Sequence, residues 1–299
     1  YAIDTLKLSD SWQLTVGTRW DQFDTDYNAV RLTGPATPFN SGEVSGSESF
    51  DQIDEVTSYR AALVYKPVFN ASVYLAGSTS FNPSGQSLSF LSSGRGLGVK
   101  NAFLDPEENI SLEAGLKIDL NEGGLSFTGS MFEITKKNAR VPDPNNPGFN
   151  TLGGELRVRG LSLDAQGMLA AGVFVTAGYT HLDSEVLKAA PGASTGAALA
   201  NAPEHSLSTW ANYQATDQLD VGIGGRYISE QLAQNTGIGR SVPSYTLLDA
   251  MGRYRISQTV SIKLNLTNLA GEYYFDQLHP WHVVPGPGFT ATFAINVVY

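Results

Sequence analysis

The chain has 299 residues, no cysteine, and 19 lysines and arginines against 29 aspartates and glutamates, a formal net charge of −10. That acidic balance argues against a nucleic-acid partner, which would want a basic face. No stretch approaches the roughly 18 apolar residues of a transmembrane helix.

Helical periodicity is almost absent, and two-residue alternation dominates. Near the start, Trp12, Leu14, Val16, Thr18 and Trp20 alternate with Gln13, Thr15, Gly17, Arg19 and Asp21. Ile110, Leu112, Ala114, Leu116, Ile118 and Leu120 alternate with Ser111, Glu113, Gly115, Lys117 and Asp119. Val260, Ile262, Leu264 and Leu266 do the same, as do Phe289, Ala291, Phe293, Ile295 and Val297. Short polar turns are predicted at Ser9–Ser11, Pro67–Asn70, Asn121–Gly124, Thr216–Gln218 and Ser257–Gln258. Between them lie long irregular segments at Tyr27–Ser49, Phe81–Pro106, Ala139–Asn150, Glu185–Pro203, Leu232–Pro243 and Gly271–Gly286. The count is about thirteen strands, most with the roughly 9–11 residues needed to cross an outer membrane.

A soluble β-sandwich also alternates, but it has no need of a regular rhythm of tight turns and long loops. Membrane barrels show that rhythm because one rim carries turns and the other carries large external loops. Arg19, Asp21, Glu113, Lys117, Asp119, Glu155, Arg157, Arg159, Arg226, Asp249, Arg253, Arg255 and Lys263 are assigned to the non-greasy side of their strands. Charges would be costly in a sandwich core and are tolerated in a wet or plugged lumen. Trp12, Trp20, Tyr59, Tyr65, Tyr227 and Tyr254 suit interfacial girdles. Gly222, Gly224 and Gly225 relieve curvature or let an internal domain approach the wall. Complete bacterial barrels have even strand counts. The odd count, the start at Tyr1 inside a strand-like run, and the lack of a leader lead to the expectation of a piece of a larger barrel.

Several stretches then resemble one family in the right order. They are Tyr1–Trp12 with Val16-Gly-Thr-Arg-Trp-Asp21, Ser58–Pro67 with Tyr74 and Ser80-Phe-Asn-Pro83, and Leu104-Asp-Pro-Glu107 with Glu113-Ala-Gly-Leu-Lys117. Phe132–Asn138, Asn201-Ala-Pro-Glu-His205 with Trp210 and Tyr213, Asn265–Tyr274 and Pro285-Gly-Pro-Gly288 follow. Together they are similar to the TonB-dependent receptors, and within them to catecholate or ferrichrome-type siderophore receptors. The resemblance implies an all-β fold, a transmembrane antiparallel β-barrel, with residues 1–299 forming about thirteen C-terminal strands of a roughly 22-stranded barrel. The family's plug domain, coupling box and early strands have no counterpart here. The implied function is uptake of a ferric siderophore across the outer membrane of a Gram-negative bacterium, driven by the TonB-ExbB-ExbD complex through the missing N-terminal region. No cofactor or catalysis is implied. Lipid, lipopolysaccharide and the barrel-assembly machinery are the other implied partners, the last reading the terminal aromatic Tyr299. Receptors for cobalamin, haem or glycans share the barrel, and a passive porin is a further alternative.

A ferric catecholate is aromatic and anionic, so loop aromatics and cations are the candidate contacts. They are Phe90, Arg95, Lys100, Arg140, Arg240, Tyr273, Tyr274, Phe275 and Trp281. Asp276, His279 and His282 have metal-ligating side chains, yet their spacing on a loop carries no geometric force, and no metal site is assigned. His181 and Asp183, at a strand end, are expected to be solvated. An outer-membrane hydrolase would need a His–carboxylate pair beside a nucleophile, and the four histidines show no such grouping.

Overall fold

The computed structural model describes residues 1–32, 44–83, 104–120, 124–142, 150–189, 194–233, 240–278 and 282–298. The strands are β1 (Ala2–Lys7), β2 (Trp12–Leu32), β3 (Val44–Val68), β4 (Ala71–Asn82), β5 (Glu107–Leu120) and β6 (Leu125–Pro142). They continue with β7 (Asn150–Ala170), β8 (Val173–Lys188), β9 (His205–Gln214), β10 (Leu219–Ile228), β11 (Gln231–Leu232) and β12 (Ser241–Val242). Then come β13 (Tyr245–Arg255), β14 (Val260–Thr267), β15 (Phe275–Leu278), β16 (Val283–Pro285) and β17 (Thr290–Val297). Thirteen of them form one sheet, in the order β1 to β10, then β13, β14 and β17. Every neighbouring pair is antiparallel. The remaining four make two small hairpins inside the last two long connections. The sheet is therefore the expected meander, and among the described residues β1 and β17 lie at its two open edges.

Tight turns and long connections alternate without exception among the described strands. One tight turn, at Ala171–Gly172, was not expected, because Ala170 and Ala171 carry no polar turn signal. Gly172 makes it possible with a φ of 74°, a conformation that costs glycine little. The long segments are less irregular than expected. The described parts of Tyr27–Ser49 are strand, since β2 and β3 stay in register from Trp12 opposite Tyr65 to Arg31 opposite Gly46, with a bulge before Leu32 meets Val44. Beyond the membrane the strands lose their greasy side but keep their hydrogen bonds, so apolar alternation stops before the strand does.

Residues directly opposed in an antiparallel ladder share a face. One register row runs Leu6, Leu14, Leu63, Leu75, Ala114, Met131, Leu161, His181, His205. It begins beside a tight turn and ends at the loop rim, so rows climb relative to the membrane. A row two residues above it runs Val16, Ala61, Gly77, Leu112 and then Glu133, Arg159, Asp183. It turns from apolar to charged between β5 and β6. The Leu6 row turns polar between β7 and β8. The row two residues below it, containing Tyr65, Leu116, Leu163, Tyr179 and Tyr227, does so only at Thr246 in β13. Four residues of climb over five strands, at about 3.3 Å per residue and 4.8 Å per strand, correspond to a strand tilt of roughly 30°.

The outward apolar residues are bare in this chain. Leu75, Met131, Ile223 and Phe293 are each about 60% exposed, which only a hydrocarbon surrounding makes favourable. The six girdle aromatics all lie on this outward face by register, and Trp12 stacks on Tyr65 at 4.5 Å. The charges Glu155, Arg157 and Arg159 are a correction. They were placed on the wet side, but they share the face of Leu161 and Leu163. Leu156 and Val158 misled the alternation, because both belong to the lumen side above the membrane, where the greasy and wet faces no longer differ. Arg159 pairs with Glu133 at 2.6 Å and Arg157 with Glu185 at 2.6 Å.

The lumen face carries three aromatic rings set directly opposite glycines: Tyr74 with Gly115, Phe132 with Gly160 and Trp210 with Gly224. A Cβ on Gly115 would stand 2.5 Å from the Tyr74 ring, and one on Gly222 would stand 2.7 Å from Trp210. These glycines make room for a cross-strand ring, a role that neither sequence-based reading of Gly222 and Gly224 anticipated. The rings' polar ends are satisfied sideways: the Tyr74 hydroxyl donates to Glu113, and Trp210 Nε1 donates to Asn212 Oδ1 at 3.0 Å. Near the turn rim, Asp220 accepts from Arg253 Nε at 2.8 Å and from Arg255 Nη2 at 2.8 Å, bolting β10 to β13.

Candidate functional site

The loop rim is the only place where candidate ligand residues and a built framework coincide among the described residues. The last long connection starts where β14 ends. Asn268 has a φ of 52°, a left-handed conformation that asparagine tolerates better than most residues. Its N–H donates to Asp249 Oδ1 at 2.8 Å. Its side-chain nitrogen donates to the carbonyls of Glu272 at 2.8 Å and Pro287 at 3.1 Å, and its Oδ1 accepts from the Glu272 N–H at 2.8 Å. One buried side chain thus ties both ends of the loop to each other, and its backbone ties them to β13.

Tyr274 is buried against Tyr245 with ring centroids 4.7 Å apart, in a small core with Leu247 and Ile228. Its carbonyl accepts from Gly286 at 2.9 Å, and a side chain on Gly286 would run into its ring. The Asn265–Tyr274 and Pro285–Gly288 motifs therefore have a folding cause. Burial raises the Tyr245 hydroxyl pKa above its ordinary value, against the lowering pull of Arg226. Tyr273 is 74% exposed and meets Phe275 edge-on at 5.5 Å. Arg240, Asp276 and His282 are exposed on the neighbouring connections.

A second framework joins the roots of the connections above β4–β5 and β6–β7. The Glu107 carboxylate, 8% exposed, accepts from the Arg140 N–H at 2.9 Å and Asn82 Nδ2 at 2.9 Å. Lys136 Nζ lies 3.3 Å away, and Arg140 Nη2 donates to the Asn82 carbonyl at 3.0 Å. Burial alone would push the Glu107 pKa up. The hydrogen bonds from Arg140 and Asn82 and the charges of Lys136 and Arg140 outweigh it and hold the carboxyl below its ordinary value. Alongside, Gln52 Nε2 donates to Asp54 Oδ1 at 2.7 Å and to the Leu104 carbonyl at 3.1 Å.

Below the rim, a lumen-facing recess of about 500 Å³ is lined by Trp210, Arg226, Leu247, Asp249, Asn268 and Tyr274, among others. The structure brings Tyr273, Phe275 and the buried Tyr274 together beside this recess. Arg140 stands apart, its guanidinium held between Glu107 and Asn82. Phe90, Arg95, Lys100, His279, Trp281 and Tyr299 lie outside the described residues. Glu107, Asp54 and Asn268 were missed as framework residues. The proximity of Asn268 to Asp249 and Pro287 is a tertiary fact that a single sequence does not show.

Residues 1–269 match the profile of the family described as TonB dependent receptor-like, beta-barrel. A probable TonB-dependent siderophore receptor, PiuA of Acinetobacter baumannii, is 29% identical over all of this chain and 40% of its own length. The metal-pseudopaline receptor CntO of Pseudomonas aeruginosa is 28% identical over 99% of this chain and 40% of its own length. This chain thus spans about two-fifths of the curated relatives it matches. The crystal structure of the siderophore receptor PiuA superposes with a TM-score of 0.84 over 99% of this chain and 42% of that one, at 29% identity. The ferric-catecholate import receptor Fiu of Escherichia coli K12 shares the fold with a TM-score of 0.83 at 24% identity, over 99% of this chain and 43% of that one. The chain belongs to the TonB-dependent receptor β-barrel family.

Proposed function

We propose that this chain is the C-terminal part of the wall of an outer-membrane receptor that takes up ferric siderophores with energy delivered through TonB. The observation that carries the reading is the likeness to PiuA, a siderophore receptor, along 99% of this chain in both sequence and fold. The rim chemistry agrees. An exposed tyrosine and an adjacent phenylalanine, Tyr273 and Phe275, stand on a loop fixed by Asn268, and stacking and cation contacts suit an aromatic iron chelate. The coupling to TonB-ExbB-ExbD falls to the part of the receptor that this chain does not span. Lipid and lipopolysaccharide meet the outward face, and the barrel-assembly machinery meets the last strand.

Uptake of radiolabelled iron by iron-starved cells tests the reading. Cells lacking the receptor are compared with complemented cells, each with and without TonB. Receptor- and TonB-dependent uptake of a ferric catecholate supports it. TonB-dependent uptake of haem, cobalamin or a glycan instead replaces the ligand. TonB-independent swelling of sugar-loaded liposomes by the purified protein replaces the whole reading with a passive pore.

A further inference from the structure

On the outward face at the loop rim, His181 of β8 and His205 of β9 oppose each other directly in the ladder, and their rings stack at 4.8 Å. Glu204 precedes His205, with its Oε1 3.6 Å from His205 Nε2. One ligand atom from each of the three residues lies within 4.8 Å of the others. Two further observations mark this group. His205 Nδ1 is 2.9 Å from the Tyr179 hydroxyl, a second partner that leaves Nε2 turned toward Glu204. His181 Nδ1 is buried and has no hydrogen-bond partner among the described residues.

The backbone around the group is pinned on both sides. The Glu204 carbonyl accepts from Leu182 at 2.8 Å. His205 N–H donates to Ser229 Oγ at 3.0 Å, and the Ser229 N–H returns a bond to the His205 carbonyl at 2.9 Å. The group sits where its register row passes from Leu161 out of the apolar band, above the hydrocarbon and away from the lumen.

We propose that His181, Glu204 and His205 form a binding site for a divalent transition-metal ion, zinc in the simplest case. Two imidazoles and one carboxylate are a donor set that suits zinc and its neighbours better than magnesium or calcium, which prefer all-oxygen shells. Metal–ligand bonds of about 2.0–2.1 Å place tetrahedral ligands roughly 3.4 Å apart. The three donors therefore close by up to about 1.4 Å, within side-chain rotation. The Tyr179 hydroxyl supplies the outer hydrogen bond that metal-bound imidazoles usually make. The ion would staple β8, β9 and the connection between them at the rim. This site lies on the outward face of the rim and uses none of the proposed chelate contacts, so its test is independent of the transport reading.

The test uses the untagged full-length receptor, chelator-stripped in detergent and dialysed against zinc alone. Expected is one saturable zinc per chain by elemental analysis, lost in the His181→Asn, His205→Asn double variant. Glu204→Gln should weaken binding, and Tyr179→Phe, which keeps all three ligands, should weaken it roughly 10-fold to 100-fold. Cobalt in place of zinc should give the absorption of a tetrahedral site. Three results overturn the proposal: no saturable zinc in the unaltered protein, zinc retained by the correctly folded double variant, or displacement by equimolar magnesium or calcium. If the double variant fails to fold, unchanged affinity in Tyr179→Phe overturns it.

Discussion

Replacing Glu107 with alanine isolates what holds the roots of two long connections together. The substitution removes the acceptor for the Arg140 N–H and Asn82 Nδ2, each at 2.9 Å, and the counter-charge for Lys136 at 3.3 Å. Breaking a buried ion pair from one side costs about 3–5 kcal/mol. Lys136 is 34% exposed, and solvent screening moves the figure to the lower end, about 3 kcal/mol. That is a roughly 100-fold larger local opening constant. Hydrogen exchange of the segments containing Asn82 and Arg140, measured on the full-length receptor in detergent, reads it directly. Glu107→Gln keeps an acceptor and should lose only about tenfold. The folded carboxyl has a lowered pKa, so its contribution is complete above the ordinary glutamate value and fades as pH falls through the depressed folded value. Protection factors should be flat near neutrality and drop in acid, and the glutamine variant should lack that drop. An alanine variant within threefold of the parent would refute the reasoning.

Gly115→Val places carbon against the Tyr74 ring and should cost about 1–3 kcal/mol by overpacking, seen as a lower urea midpoint. Gly252→Ala, with nothing within 4 Å of its Cβ, should leave that midpoint in place. Asn268→Ala deletes three side-chain hydrogen bonds, about 3 kcal/mol at roughly 1 kcal/mol each, and should expose the β14–β17 connection to limited proteolysis. Expressed alone, the 299-residue chain should fail to give a heat-modifiable monomer, because β1 and β17 offer open edges and each unpaired group in lipid costs several kcal/mol. A folded monomer with those edges would overturn that expectation.

The wall was legible because hydrocarbon imposes a strict rule: within the band, every second side chain must be apolar. Ile110–Leu120 obeys it, Trp12–Trp20 obeys it apart from Thr18, and the thirteen strands followed. Legibility stopped where the rule lapsed. Leu156 and Val158 kept alternating above the band and reversed the reading of Glu155, Arg157 and Arg159, and the polar upper ends of β2 and β3, from Tyr27 and up to Ser49, read as loop. The rim was less legible still. Tyr273 and Tyr274 are identical in sequence terms, yet one is exposed and the other is packed on Tyr245. His181 and His205 are 24 residues apart by their numbers, and only the ladder register makes them neighbours.

The climbing register rows also fix a thickness. On β6 the outward residues Leu125, Phe127, Gly129 and Met131 run up to Glu133. At about 3.3 Å per residue and a tilt of roughly 30–40°, this run is roughly 20–25 Å tall. The Glu133–Arg159 pair closes the top of that run, with Glu133 opposite Leu112 of β5. An average bilayer core of about 30 Å would leave these charges in hydrocarbon or force the lipid to thin around them, at a cost that grows with each ångström of mismatch. The bacterial outer membrane is thinner than average. The wall is therefore a gauge cut to one membrane of the cell, and its height would disfavour settling in a thicker one.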